Sequence, residues 1–255
     1  MMVTEEEYKQ RMRDEQEIRD EEAAIHEERI SEYQHNIEIW QYVRALTPTP
    51  SDVILDAGGG TGRVARVLAT VAGKVVIADL SFNSLLIAKQ RSEKAHIRVD
   101  CVQCDLAHLP FAAKTFHKVL SAGVLEHVPG RANRQAIVSS FFHSLVPGGR
   151  IVFSVYNYHI KHRLLRKCDV PHGRNYDHYF SISELRDEIR EIRSKYDVRY
   201  RSLRIFPVLN LVHLGIGARL GRLGKALDQW LSNFPWVGWV VGSFLVCNIE
   251  ADLPK

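Results

Sequence analysis

The sequence predicts an α/β protein built on a mainly parallel sheet with helices on both faces. Three observations predict it. Apolar runs such as Val53-Ile-Leu55, Val75-Val-Ile-Ala78 and Ile151-Val-Phe153 alternate with segments of helical periodicity. Strands that are apolar at every position are strands covered on both faces. Asp56-Ala-Gly-Gly-Gly-Thr-Gly62 closes the first run and leads straight into a helix-like segment. Pro147-Gly-Gly149 marks a turn between a long helical segment and the next apolar run.

The elements follow in order. Residues 1–25 are acidic and basic by turns, and their first turns are expected to fray. From Ile30 the residues Ile30, Tyr33, Ile37 and Trp40 recur at steps of three and four, one helical face. Thr47-Pro-Thr-Pro-Ser51 stops that helix. Val53–Asp56 is strand one and Gly62–Val71 a helix. Lys74–Asp79 is strand two and Asn83–Ser92 a second helix. Ile97–Val102 and His117–Ala122 are strands three and four. Ala132–Leu145 is a long helix and Arg150–Tyr156 is strand five. Ser181–Ser194 is a charged helix, with Ser181 and Glu184 forming a capping box. Val198–Phe206 and Ser243–Glu250 are the last two strands. The organisation is therefore an N-terminal helical segment over 1–47 and one domain over 48–255.

A chain of 255 residues can hold one sizeable core with an accessory segment. Its 45% hydrophobic and 25% charged residues are those of a soluble globular protein. A net charge of +4 permits contact with anionic lipid or RNA without demanding either. The four cysteines form no disulfide framework, and the charged stretch Met1–Gln34 holds no secretory signal. The expected place is the cytoplasm. Cys101 and Cys104 lie three apart along an expected strand and point to opposite faces, so no metal site is expected.

The glycine turn carries the chemistry. Glycines admit positive φ and let a ligand approach the main chain, and the helix start beyond them offers unpaired N–H groups. Asp56 at the strand tip is a poor neighbour for a pyrophosphate and suits a cationic ligand. Gly60-Thr-Gly62-Arg-Val-Ala65 also fits the loose dinucleotide pattern, so an NAD(P)-dependent oxidoreductase remains an alternative.

Asp56-Ala-Gly-Gly-Gly-Thr-Gly62 resembles the first motif of class I methyltransferases that use S-adenosylmethionine. Four later blocks follow in the family's order: Asp79 at the end of strand two; Gln103-Cys-Asp-Leu-Ala-His-Leu-Pro-Phe111; Phe116-His-Lys-Val-Leu-Ser-Ala-Gly-Val-Leu-Glu-His-Val128; and Leu145-Val-Pro-Gly-Gly-Arg-Ile-Val-Phe153. Together they cover about residues 50–156. The resemblance implies a Rossmann-like sheet of seven strands, the last antiparallel. It implies S-adenosylmethionine as cofactor and methyl transfer by direct displacement. Asp56 would favour the donor's ammonium, Asp79 its ribose hydroxyls, and Asp105 the adenine amine, with the N–H of Leu106 meeting the ring. Gly58, Gly60, Gly62, Leu80 and Ala122 complete the implied donor site. His127 is the candidate base, with a packing role as its alternative. The N-terminal segment would cap the donor, and Tyr33 and Trp40 could touch it.

Tyr156, Tyr158, His159, His162, His172, His178 and Tyr179 fall where acceptor-facing residues are expected. The segment 207–239 departs from the family's short hairpin. Leu209, Val212, Ile216, Leu220, Leu223 and Leu227 form a stripe, with Arg219, Arg222 and Lys225 largely off it and Trp230, Trp236 and Trp239 beyond. That pattern suits an interfacial helix, a lid, a dimer surface or a greasy acceptor wall. It leads to a small-molecule or lipid-like acceptor and to peripheral contact with the inner face of a membrane. Nucleic acid is expected to be an unlikely partner, with a tRNA methyltransferase of the same fold as the alternative.

Overall fold

The computed structural model describes residues 4–30, 32–158, 169–172, 175–203, 230 and 244–251; the side chains of Tyr33, 169–175, 193–195 and 201–203 are not described. The apolar stripe of 207–239, His159, His162 and the side chain of His172 therefore lie outside the described residues, Trp230 apart.

The strands are β1 (Val53–Ala57), β2 (Lys74–Asp79), β3 (Asp100–Gln103), β4 (Phe116–Ala122), β5 (Leu145–Tyr156), β6 (Asp169–His172), β7 (Asn175–His178), β8 (Asp197–Leu203) and β9 (Phe244–Glu250). The helices are α1 (Glu5–Glu22), α2 (Glu32–Leu46), α3 (Arg63–Leu68), α4 (Phe82–Lys94), α5 (Arg131–Ser144), α6 (Ile182–Glu188) and α7 (Arg190–Lys195). Seven strands form one sheet in the order β3-β2-β1-β4-β5-β9-β8. Only β9 runs against its neighbours β5 and β8, as expected of the last strand.

Register explains why the strands are apolar throughout. Val76, Leu55, Val119, Ile151 and Ile249 pair in sequence across the sheet and make one buried row. They face α5 and α6, packing with Ile137, Phe141 and Leu185. The next row, Ile77, Asp56, Leu120 and Val152, points the other way. Its apolar members pack with Ile37 and Leu46 of α2, Val64 and Leu68 of α3, and Leu85 of α4. Each such side chain, fully removed from water, stabilises the fold by about 2 kcal/mol. Asp56 is the one acid in that second row.

Several local expectations are corrected. The first turns are a helix from Glu5, fixed by a reciprocal capping box between Thr4 and Glu7. β3 begins at Asp100 rather than Ile97. β5 begins at Leu145, because Phe116 already pairs with Leu145 and Pro147-Gly-Gly149 forms the register shift before Lys118 meets Arg150. The charged helix breaks at Ile189 into α6 and α7. Ser181 caps α6 by accepting from the Glu184 N–H at 3.1 Å. The Glu184 carboxylate turns instead to His178, at 2.7 Å. The antiparallel hairpin β6–β7 occupies a stretch whose sequence suggests only a loop.

Candidate functional site

The strand order reverses between β1 and β4, and ligands of open α/β sheets bind beyond the strand tips at such a point. A crevice lies there. Asp56, Gly58, Gly60, Asp79, Leu80, Asp105, Leu106, Ala122 and His127 all line it. Gly62 does not line it. It caps α3 in the left-handed conformation, and a Cβ there would sit 3.0 Å from Ile77 and 3.1 Å from Ala88. Trp40, whose ring carries the Arg44 guanidinium at 5.1 Å, is likewise not among the lining residues.

Two glycines of the turn are needed for different reasons. A Cβ on Gly58 would meet Val124 at 2.3 Å, so the turn after β4 can approach only a bare backbone. Gly60 has φ +51°, yet a Cβ there would find nothing nearer than Asp79 at 4.0 Å. The space beyond Gly60 is open and belongs to the crevice. The Gly60 N–H donates to Asp79 Oδ2 at 2.8 Å, and the Ser81 N–H to Asp79 Oδ1 at 2.9 Å. Burial raises the Asp79 acid above its ordinary value despite those two bonds.

Asp56 is 1% exposed, and its Oδ2 has no hydrogen-bond partner among the described residues. Burial first, then the Asp79 carboxylate, push its pKa up to about 7. A buried acid with one oxygen unpartnered in an otherwise apolar row is costly unless it takes a proton or a cation. Asp105 accepts from the Ala107 N–H at 2.9 Å, which begins the short turn Leu106–His108.

His127 gains a partner that sequence spacing does not reveal. Its Nδ1 lies 3.0 Å from Asp177 Oδ1 on β7, with side-chain exposures of 13% and 18%. Burial lowers the imidazole's pKa and the Asp177 bond raises it, and the net shift is upward. The Tyr156 ring stands edge-on to His127 at 5.6 Å and stacks on Tyr179 at 5.4 Å. Glu126, next in the chain, is wholly buried, and neither carboxylate oxygen has a hydrogen-bond partner among the described residues. Burial raises its pKa to about 7.

The remaining wall comes from the N-terminal segment. Met12, Glu15, Gln16, Arg19, Glu22, Ala23 and His26 face the crevice. Two carboxylates tie this segment down. Asp20 accepts from Ser81 Oγ at 2.5 Å and from the Asn83 N–H at 2.9 Å, at the start of α4. Glu27 accepts from Thr61 Oγ1 at 2.6 Å and from Arg66 at 2.9 Å. α1 carries no apolar periodicity of its own, because only Ile18 along it is buried.

No group of three or more potential metal ligands occurs among the described residues, and Cys101 and Cys104 are free thiols there. No helix among those residues is long and apolar enough to cross a membrane.

Residues 54–149 match the model of a family described as "Methyltransferase domain". The chain is 28% identical over 171 residues to the ubiquinone/menaquinone biosynthesis C-methyltransferase UbiE of Cereibacter sphaeroides, covering 64% of this chain and 63% of that protein. It is 30% identical over 133 residues to the human "Probable tRNA methyltransferase 9B", covering 51% of this chain and 28% of that protein. The chain thus spans under two thirds of the length of either relative. In fold it resembles DhpI in a complex titled "DhpI-SAM-HEP", with a TM-score of 0.63, 17% identity, and coverage of 93% of this chain and 96% of that one. The tRNA-methyltransferase relative overturns the expectation that nucleic acid is an unlikely partner. The apolar stripe of 207–239 is weak ground against RNA, because RNA recognition can rest on shape and backbone contacts.

Proposed function

We propose that this chain, a class I S-adenosylmethionine-dependent methyltransferase by its domain match and sheet order, transfers the donor's methyl group to an acceptor held beside His127. The carrying observation is the orphaned Asp56 Oδ2 in the same crevice as the open space beyond Gly60. A cationic ligand satisfies the first, and a ligand pressed against the main chain fills the second. A pyrophosphate-linked coenzyme would set its charge against a buried carboxyl group, which disfavours the nicotinamide alternative.

When bound, the donor supplies a methyl group on a sulfonium, which is already an activated leaving group. Asp56 then favours the ammonium end, Asp79 the ribose hydroxyls and Asp105 the adenine amine. Leu80, Leu106 and Ala122 give apolar contact. Gly58 and Gly60 leave room, and Gly62 acts at one remove by seating α3. α1 and the turns after it exclude water. Asp177 holds a proton on His127 Nδ1, which leaves Nε2 as the acceptor of a proton from the incoming nucleophile.

The acceptor is read as a small organic or lipid-like molecule, because the crevice that His127 lines is walled by the N-terminal segment rather than open on that side. The segment 207–239 is the proposed apolar wall and membrane contact. A second reading, a tRNA base presented to the same site, is favoured by the identity to tRNA methyltransferase 9B.

Incubation of the protein and methyl-labelled donor with the lipid, RNA and small-molecule fractions of a cell lysate tests this. Label is expected in the lipid or small-molecule fraction, and Gly60→Val, which fills the cradle, should transfer none. Label confined to RNA moves the assignment to the second reading. No label in any fraction rejects methyl transfer.

A further inference from the structure

A base works only where its ring is held against the incoming nucleophile. The ring of His127 is held from a strand far along the chain. Its Nδ1 lies 3.0 Å from Asp177 Oδ1 and 3.3 Å from the Tyr176 carbonyl oxygen, both on β7. The turn Leu125–His127 and β7 belong to different parts of the fold, and their separation has to be fixed by something else. Apolar packing does not fix it alone. A cavity of about 500 Å³ opens between α5, which follows the turn, and α6, which follows β7; Val138, Phe142, Leu185 and Ile189 line it. Close-packed interiors leave few such spaces.

The buried guanidinium of Arg134, near the start of α5, bridges the two sides. Its Nη1 donates to the carbonyl of Val128, the residue after His127, at 3.1 Å. Its Nε donates to Glu188 Oε2 at 3.1 Å, and its Nη2 donates to the same carboxylate. The guanidinium carbon lies 5.1 Å from the centre of the Phe180 ring. Phe180 follows Asp177 by three residues, and its backbone bonds to Tyr156 and Tyr158 at 2.8 and 2.7 Å. Two neighbours repeat the link. Arg131 donates to the Asp187 carbonyl at 2.6 Å, and Gln135 to that of Glu188 at 2.8 Å. These carbonyls end α6, where a helix leaves its acceptors without partners of its own. The other end of α6 is tied to β7 by His178 and Glu184, at 2.7 Å. The contacts close a circuit from His127 through Val128, Arg134, Glu188 and α6 to β7, and back through Asp177. A buried ion pair is a poor source of stability, because desolvation offsets its attraction. A rigid fork with donors in several directions is a good source of geometry.

We propose that Arg134 is a positioning residue for His127: it locks the turn that carries the imidazole to the α6–β7 unit that carries its carboxylate partner. Arg134 does not line the crevice and acts only through others. This rests on His127 as the base and adds what aims it. The imidazole also faces Glu126 of its own turn, Glu15 and Arg19 of α1, and the Tyr156 ring of β5. Burial and Arg19 oppose its charged form, whereas Asp177, Glu15 and Glu126 favour it. Of these groups Asp177 alone stands on β7. Loosening the lock therefore weakens the Asp177 bond, lowers the His127 pKa, and moves the rising limb of the rate–pH profile to lower pH as the plateau falls.

The test is an NMR titration of the His127 ring in the full chain, its signal assigned by its loss in His127→Gln. Calorimetric binding of S-adenosylhomocysteine checks the crevice. Arg134→Met combined with Glu188→Leu removes both charges together and keeps the volume, an exchange that buried pairs commonly tolerate. This double variant should bind S-adenosylhomocysteine within about twofold of the wild type. It should nevertheless lower the His127 pKa by most of what Asp177→Asn does. Transfer of labelled methyl to the accepting lysate fraction should drop by roughly ten- to a hundredfold, much of what a general base contributes. Arg134→Lys, which keeps the charge and loses the fork, should fall between the wild type and the double variant. An unchanged His127 titration in either variant that still binds S-adenosylhomocysteine overturns the proposal, because the pair then only fills space. Loss of that binding in both variants overturns it too, because Arg134 then holds the fold as a whole. Failure of the base reading shows separately: His127→Gln would transfer label at the wild-type rate, and the positioning role would fall with it.

Discussion

Asp56 holds its proton to an unusual pH because water is excluded from its surroundings and Asp79 lies near. Its ordinary pKa of 3.8 is raised to about 7 in the fold. The stability contributed by the neutral acid is therefore complete below about pH 4 and lost as pH rises through 7. A cationic donor reverses the balance, because it favours the ionised form. Donor binding should release a proton near pH 6–7, and affinity should rise by up to about tenfold per unit of pH below 7 and level off above it. Calorimetry in buffers of different protonation heat measures that release, and Asp56→Asn should abolish it. The position of Asp56 was legible in the sequence, as an acid ending an apolar run before alternate glycines. Its missing partner and its raised pKa were not, because they depend on Ile77, Leu120 and Val152 standing beside it in one row of the sheet.

Elements decide what closes the site. α1 has almost no apolar stripe to read, since Ile18 is its one buried residue, and its start is fixed locally by the Thr4-to-Glu7 capping box. What holds it is tertiary. Asp20 reaches the cap of α4, while Glu27 grips Thr61 of the glycine turn and Arg66 of α3. Asp20→Ala removes the first tie and leaves Ser81 still capping α4 through the Ser84 N–H. Amide exchange over 5–22 should then speed up, and donor affinity should fall by about tenfold, the cost of one lost charge-assisted bond. Unchanged exchange would mean that α1 is held by packing alone. The hairpin β6–β7 carries the same lesson on the acceptor side. His127 and Asp177 are fifty positions apart in the sequence, and only the antiparallel pairing of β7 with β6 and the contact of β7 with the turn around His127 bring them together. Sequence periodicity, which suggests only a loop before Ser181, cannot find the pair.

For the whole molecule, the sheet was readable because every central strand is buried on both faces, which leaves uninterrupted apolar runs between helices. The antiparallel β9 and the crevice at the strand-order reversal follow from that plan. The acceptor was not readable, since the residues expected to face it fall largely in 156–179 and 207–239, where composition alone does not fix a surface. The chain is similar both to a relative named for quinone methylation and to one named for tRNA methylation, so similarity does not fix the acceptor. The central claim is therefore about the donor. Calorimetric titration of one preparation with S-adenosylmethionine, S-adenosylhomocysteine and NAD in parallel tests it most directly. Saturable binding of both adenosyl ligands at one site, with none for NAD, is the predicted result. Tight binding of NAD with silence from the two adenosyl ligands would contradict it.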